Sequence, residues 1–188
     1  NRFVIRNMRI TGSTSVSAAI YLSGCYDGVV DGIVASGMSG RGIWIEDGYD
    51  IDVIDCEVYS VGSTPFYFGA SAATTYRIRL INCYAHDCTG VYGYGFLFFG
   101  GDTATSKIYD CQVYSWKARS CFYGARFTNT RNCSMSGFFI QSSLYAGIAL
   151  YNDRSLLVAN GQTIGNSAQG ISLLNDAGRQ TVRDITIE

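Results

Sequence analysis

Asp55-Cys56-Glu57-Val58 decides the fold, because its opening pair, a polar residue and then a small one, returns along the chain. Asn7-Met8, Asp31-Gly32, Asp55-Cys56, Asn82-Cys83, Asp110-Cys111, Ser136-Gly137, Asn160-Gly161 and Asp184-Ile185 follow at steps of 24, 24, 27, 28, 26, 24 and 24 residues. Self-similarity at a period of roughly 20 to 50 residues marks a repeat architecture.

A second ladder runs in phase with the first. Ala19-Ile20-Tyr21-Leu22, Gly42-Ile43-Trp44-Ile45, Pro65-Phe66-Tyr67-Phe68, Gly95-Phe96-Leu97-Phe98, Gly124-Ala125-Arg126-Phe127, Gly147-Ile148-Ala149-Leu150 and Gly170-Ile171-Ser172-Leu173 share one pattern. A small residue precedes apolar, variable, apolar, which is strand alternation. Five positions beyond each first residue stand Gly24, Asp47, Ala70, Gly100, Asn129, Asn152 and Asn175. Gly, Asn and Asp tolerate the left-handed backbone of a sharp corner. The two longest steps of this ladder place extra residues at Tyr92–Tyr94 and at Trp116–Ser120.

One such unit cannot bury its own apolar side, whereas stacked units bury a continuous core. The reading is all-β: a single-stranded parallel β-helix (solenoid) of about seven to eight coils of roughly 24 residues, stacked at about 4.8 Å per coil. It covers residues 1–188 as one domain. Both ends continue the strand pattern, from Phe3-Val4-Ile5 to Ile185-Thr186-Ile187, so the expectation is a fragment of a longer chain or a unit that stacks on something.

Composition narrows the function classes. The chain is 47% hydrophobic and 15% charged with a net charge of −1, which provides no basic field for nucleic acid. No apolar run reaches the length of a membrane helix. Seven cysteines without Cys-x-x-Cys, and one histidine, argue against a metal site, and no cofactor is implied. Cys56, Cys83 and Cys111 share the repeat slot and are expected to stack as small buried hydrophobes. An odd number of thiols suits a protein made in a reducing cytoplasm.

With Ile20 and Leu22 inward, the outward file reads Tyr21, Trp44, Tyr67, Leu97, Arg126, Ala149 and Ser172. Beside it runs Ser23, Glu46, Gly69, Phe99, Thr128, Tyr151 and Leu174. Aromatic rings cover the apolar face of a sugar and carboxylates fix its hydroxyls, so Tyr21, Trp44, Tyr67 and Arg126 are the candidate glycan-binding residues. Val30, Ile54, Ile81, Tyr109 and Met135, one before the polar slot, are expected to form an outward apolar stripe for lateral oligomerisation. Glycoside hydrolysis needs two carboxylates about 5 to 9.5 Å apart. Glu46 and Asp47 are the candidate pair, with the His86-Asp87 pair also considered and Asp50, Asp52, Glu57, Asp87 and Asp102 as outlying carboxylates. Asp31, Asp55 and Asp110 are read as corner residues.

Ile81-Asn82-Cys83-Tyr84-Ala85-His86-Asp87 followed by Gly95-Phe96-Leu97-Phe98 resembles a right-handed β-helix repeat of the pectin-lyase-like superfamily, and Asn160-Gly161 through Gly170-Ile171-Ser172-Leu173 resembles it too. The resemblance implies a right-handed coil and a superfamily of polysaccharide lyases, glycoside hydrolases, alginate epimerases and phage tail spikes. The Asp-Pro-His motif of the epimerases and the Gly-His-Gly motif of the polygalacturonases are absent. The expectation is therefore a phage tail spike or fibre domain, on a virion tail or cell surface, that binds and in some forms cleaves a cell-surface polysaccharide as a trimer or stacked homo-oligomer. The alternatives are a non-enzymatic structural module, and a lyase or epimerase whose catalytic residues lie elsewhere.

Overall fold

A computed structural model describes residues 2–101, 107–174 and 183–188. Asp102 and Asn175 lie outside the described residues. The chain winds as a parallel β-helix, each full coil crossing three sheets in the same order. Sheet A holds Phe3–Arg6, Tyr26–Asp31, Tyr49–Ile54, Thr75–Ile81, the split strands Ile108–Tyr109 with Gln112–Tyr114 and Thr130–Arg131 with Ser134–Ser136, then Arg154–Ala159 and Arg183–Ile187. Sheet B holds Arg9–Thr11, Val34–Ser36, Glu57–Tyr59, Tyr84–Cys88, Lys117–Cys121, Phe139–Gln141 and Gln162–Ile164. Sheet C holds Ala18–Ser23, Arg41–Glu46, Phe66–Ala70, Tyr94–Gly100, Tyr123–Thr128, Ala146–Tyr151 and Gln169–Leu174.

Vertical files of like residues build the core. Ile5, Val30, Val53, Leu80, Val113, Met135 and Val158 stack on the inside of sheet A. Facing them from sheet C stand Ile20, Ile43, Phe66, Phe96, Ala125 and Ile148. Trp116 fills the middle coils: it is fully buried, its ring meets Phe66 and Phe96 edge-on at 5.4 and 5.1 Å, and its Nε1–H donates to the Gly124 carbonyl. A Cβ on Gly95 would sit 2.2 Å from that same carbonyl oxygen, which explains the small residue opening this strand.

The polar slot resolves into two files of left-handed residues. Asn7, Gly32, Asp55, Asn82, Ser115, Gly137 and Asn160 form the corner between sheets A and B, with φ between 50 and 64°. Asp27, Asp50, Arg77, Asp110, Asn132, Ser155 and Asp184 form a second file within sheet A, with φ between 51 and 55°. The two run five residues apart in the six coils where both stand, and Asp, Asn and Ser serve both, so Asp110 belongs to the second file and not beside Asn82. Asp31 likewise gives its corner place to Gly32. At the corners after sheet C, Gly24, Asp47, Asn129 and Asn152 are left-handed, but Ala70 and Gly100 are not.

This shift overturns three expectations. Cys111 does not stack on Cys83: Cys83 pairs with Cys56 below and Trp116 above, while Cys111 aligns with Cys133 and Cys88 with Cys121. The five-residue stripe is not one outward face, because Val30 and Met135 lie in the core while Ile54, Ile81 and Tyr109 are half-buried. Lys117–Cys121 is a sheet B strand and not a loop, and of the loop expected at Tyr92–Tyr94 only Tyr92 and Gly93 lie outside strands, since Tyr94 already belongs to the Tyr94–Gly100 strand; residues 71–74 form a further turn from sheet C to sheet A.

Candidate functional site

The outer face of sheet C carries the aromatic file in the register the alternation dictates. Tyr21 pairs with Trp44, Trp44 with Tyr67, Tyr67 with Leu97 and Leu97 with Arg126, while Ser23, Glu46, Gly69, Phe99, Thr128 and Tyr151 align beside them. Tyr21 is 52% exposed and leans on Trp44 with ring centroids 4.3 Å apart. Its hydroxyl donates to Glu46 Oε2 at 3.0 Å, which holds the carboxylate against the ridge. Trp44 meets Tyr67 edge-on at 5.9 Å.

Two residues depart from an open platform. Tyr67 is only 9% exposed, because the Arg41 guanidinium lies over its ring at 3.7 Å and over Trp44 at 3.9 Å. Strict alternation places Arg41 inward with Ile43, yet Gly42 takes the inward place, where a Cβ would meet the Val58 side chain at 2.3 Å. That steric demand turns Arg41 out, and sequence reading misses it. Arg126 stands two coils beyond Tyr67 and makes a centre of its own. It donates to the Tyr94 hydroxyl at 3.0 Å and to Thr128 Oγ1 at 3.1 Å, with the rings of Tyr94, Tyr123 and Tyr151 around it. Phe99, at 36% exposure, stands 6.5 Å from the Tyr67 ring. The Trp44 Nε1–H is buried and has no acceptor among the described residues, an orphan donor of the kind that costs about 1–3 kcal/mol.

The candidate catalytic residues do not converge. Glu46 faces the ridge, but Asp47 turns at the corner and binds the next coil. Its Oδ1 accepts from the Ser71 N–H at 2.9 Å and the Ala73 N–H at 3.1 Å, and its Oδ2 from the Ser71 hydroxyl at 3.0 Å. Partial burial works to raise the Asp47 carboxyl, but these bonds to Ala73, Ser71 and Ala72 prevail and hold it below its ordinary value. A carboxylate so engaged is a loop anchor and does not supply the raised acid that hydrolysis requires. His86 and Asp87 lie on sheet B, with Nδ1 2.8 Å from Asp87 Oδ2 and Nε2 3.2 Å from Glu57 Oε1. The imidazole stacks on Tyr59 at 4.8 Å with the rings within 3° of parallel. Both ring nitrogens face carboxylates, so neither is free for a substrate in this arrangement.

Sheet A carries a polar groove of about 690 Å³ that includes Asp50 and Asp52. Arg77 and Asp50 form a two-pronged pair at 2.5 and 2.6 Å, and Arg79 and Asp52 one at 2.5 Å. The hydrogen bond from Arg77 holds the Asp50 carboxyl low. On the same sheet Tyr26, Tyr49 and Tyr76 stack with their rings nearly parallel at 5.0 and 4.8 Å, so each covers its neighbour's faces and presents an edge. Among the described residues no group of three or more His, Cys, Asp or Glu side chains is placed to hold a metal ion.

No curated protein matches the chain. A family model described as a right handed beta helix region matches residues 1–122, the coils that carry the Tyr21–Trp44–Tyr67 ridge. Three parallel sheets wound without helices among the described residues, and a family match over more than half the sequence, agree: the chain belongs to the right-handed β-helix family.

Proposed function

We propose that this β-helix is a polysaccharide-directed domain that binds a cell-surface glycan across its coils on the outer face of sheet C, in the manner of a phage tail spike or fibre. One observation carries the reading: the exposed Tyr21 ring is set against Trp44 and fixed by its own hydroxyl on Glu46. A preformed ring beside a held carboxylate offers a sugar an apolar surface and a hydroxyl acceptor with little ordering cost. Arg41 adds donors, and the orphan Trp44 Nε1–H gives a ligand oxygen something to gain. The reading is binding first, because Asp47 is spent on its loop. A glycan array probed with the protein and with Trp44→Ala and Tyr21→Ala tests it. Loss of signal in both variants, with unchanged circular dichroism, is expected; undiminished binding by folded Trp44→Ala would overturn this face as the site.

A structural role, with copies associating laterally, is the second reading. Val91, Tyr92, Leu144 and Tyr145 are exposed at the turns from sheet B to sheet C, an apolar edge suited to a second copy. Sedimentation of the chain separates the two. Concentration-dependent association supports assembly, and an inert monomer counts against it.

A further inference from the structure

One file on sheet A changes character along the rod. Tyr26, Tyr49, Tyr76 and Tyr109 pair in register, and the same file continues as Arg131, Arg154 and Arg183. Lys107 stands two residues before Tyr109 on the same face, since Ile108 between them is fully buried. Lys107, Arg131 and Arg154 are all half-buried, and Arg131 lies over the Tyr109 ring at 5.8 Å.

The earlier coils of this sheet neutralise their cations: Arg77 pairs with Asp50 and Arg79 with Asp52. Among the described residues no carboxylate comes within ion-pair distance of Lys107 or Arg154. The Arg154 Nε–H is buried and has no acceptor among the described residues. Burial presses the Lys107 ammonium below its ordinary value, and the charges of Arg131 and then Arg154 press it further, so the three cations feel one another. Like charges gathered in a partly dry place, with an orphan donor among them, are costly unless an anion joins them.

We propose that Lys107, Arg131 and Arg154 form a site for an oxyanion, a phosphate, sulfate or carboxylate group, on the flank of sheet A. Guanidinium groups present paired N–H donors that match such oxygens, and the ammonium adds a point charge. The chemistry is shared by a free inorganic ion and by an acidic substituent of a polysaccharide. The site lies on a different sheet from the aromatic ridge and stands or falls separately from the glycan reading.

Isothermal titration of the full chain with inorganic sulfate and inorganic phosphate is the test. Saturable binding is expected, weakened about tenfold or more in Lys107→Gln and in Arg154→Gln and kept in Arg119→Gln, which removes an exposed charge on sheet B. Arg154→Lys keeps the charge while losing the paired donors, and an intermediate loss there separates anion binding from a folding defect. A second arm compares a sulfated oligosaccharide with its unsulfated form. Binding of the sulfated form alone assigns the site to a glycan substituent, and binding of the inorganic ions alone assigns it to a free ion. No saturable binding in either arm, equal binding of the unsulfated sugar, or an equal loss in Arg119→Gln would overturn the proposal.

Discussion

Asp153 reaches back one full coil to Thr130: its Oδ1 accepts the Thr130 N–H at 2.8 Å and the Thr130 hydroxyl at 2.9 Å, while Oδ2 accepts the Tyr151 N–H at 2.8 Å. The carboxyl is fully buried, and this burial pushes it up to about 7 although the Thr130 and Tyr151 bonds and the Arg126 charge oppose the rise. A carboxyl raised on folding binds its proton more tightly in the folded state. Its favourable contribution is therefore fully present below the ordinary value of 3.8 and is lost as pH rises through about 7. Urea midpoints of the wild type are expected to fall between about pH 4 and 7 relative to Asp153→Asn. The variant gives up one acceptor, costing on the order of 1 kcal/mol at low pH, and its own curve is flatter. Parallel curves for the two proteins would contradict the assignment.

Asp47 ties the loop at 71–73 to the coil below, so Asp47→Ala frees that loop without touching the ridge. Faster proteolysis or amide exchange at Ser71–Ala73 is expected, with Tyr21 and Trp44 fluorescence and any glycan binding unchanged. The folded Asp47 carboxyl is held low, so its contribution is present above its ordinary value of 3.8 and fades as pH falls through the lower folded value. A loss of glycan binding in Asp47→Ala, with the loop still protected, would return Asp47 to the site.

Gly137 and Gly161 separate two reasons for glycine. Gly137 has φ of 64°, and a Cβ there would meet nothing nearer than 3.6 Å. Gly137→Ala is expected to cost about 1 kcal/mol through the backbone alone, and Gly137→Asn less. Gly161 lacks that backbone, but its added Cβ would fall 2.3 Å from the Phe138 ring. Gly161→Ala and Gly161→Asn are both expected to destabilise, the larger residue more, in chemical denaturation.

The thiols should react in two classes. Cys25 is half-exposed, and the other six are buried. Burial holds the Cys83 and Cys111 thiols well above the ordinary value, and a hydrogen bond donated by the Cys121 thiol to Cys88, followed by burial, does so for Cys121. One thiol is expected to react rapidly with a disulfide reagent in the native state and seven in denaturant. Rapid reaction of more than one would show that the coils part more readily than this packing allows.

Sheet C was legible in its register, because a small residue followed by two inward apolar positions keeps one phase through seven strands and alternation then dictates the outward file from Tyr21 to Arg126. Sheet A was legible only in part. Two left-handed files five residues apart both take Asp, Asn and Ser, so counting on from Asn82 to the next polar pair lands on Asp110 in the other file, while Ser115 holds the corner. Arg41 was hidden for a different reason: its direction follows from the room denied to a side chain at Gly42 by Val58, a residue of another sheet.

The sequence by itself determined that the chain coils, the approximate period of the coil, and the file from Tyr21 to Arg126 that stands in a row on sheet C, because those follow from periodicity and strand alternation. Only the tertiary structure decided that Cys83 meets Trp116, that Asp47 holds a loop, and that three cations gather on sheet A. These depend on insertions and close contacts between coils, and a one-residue change of register alters them while leaving the repeat intact.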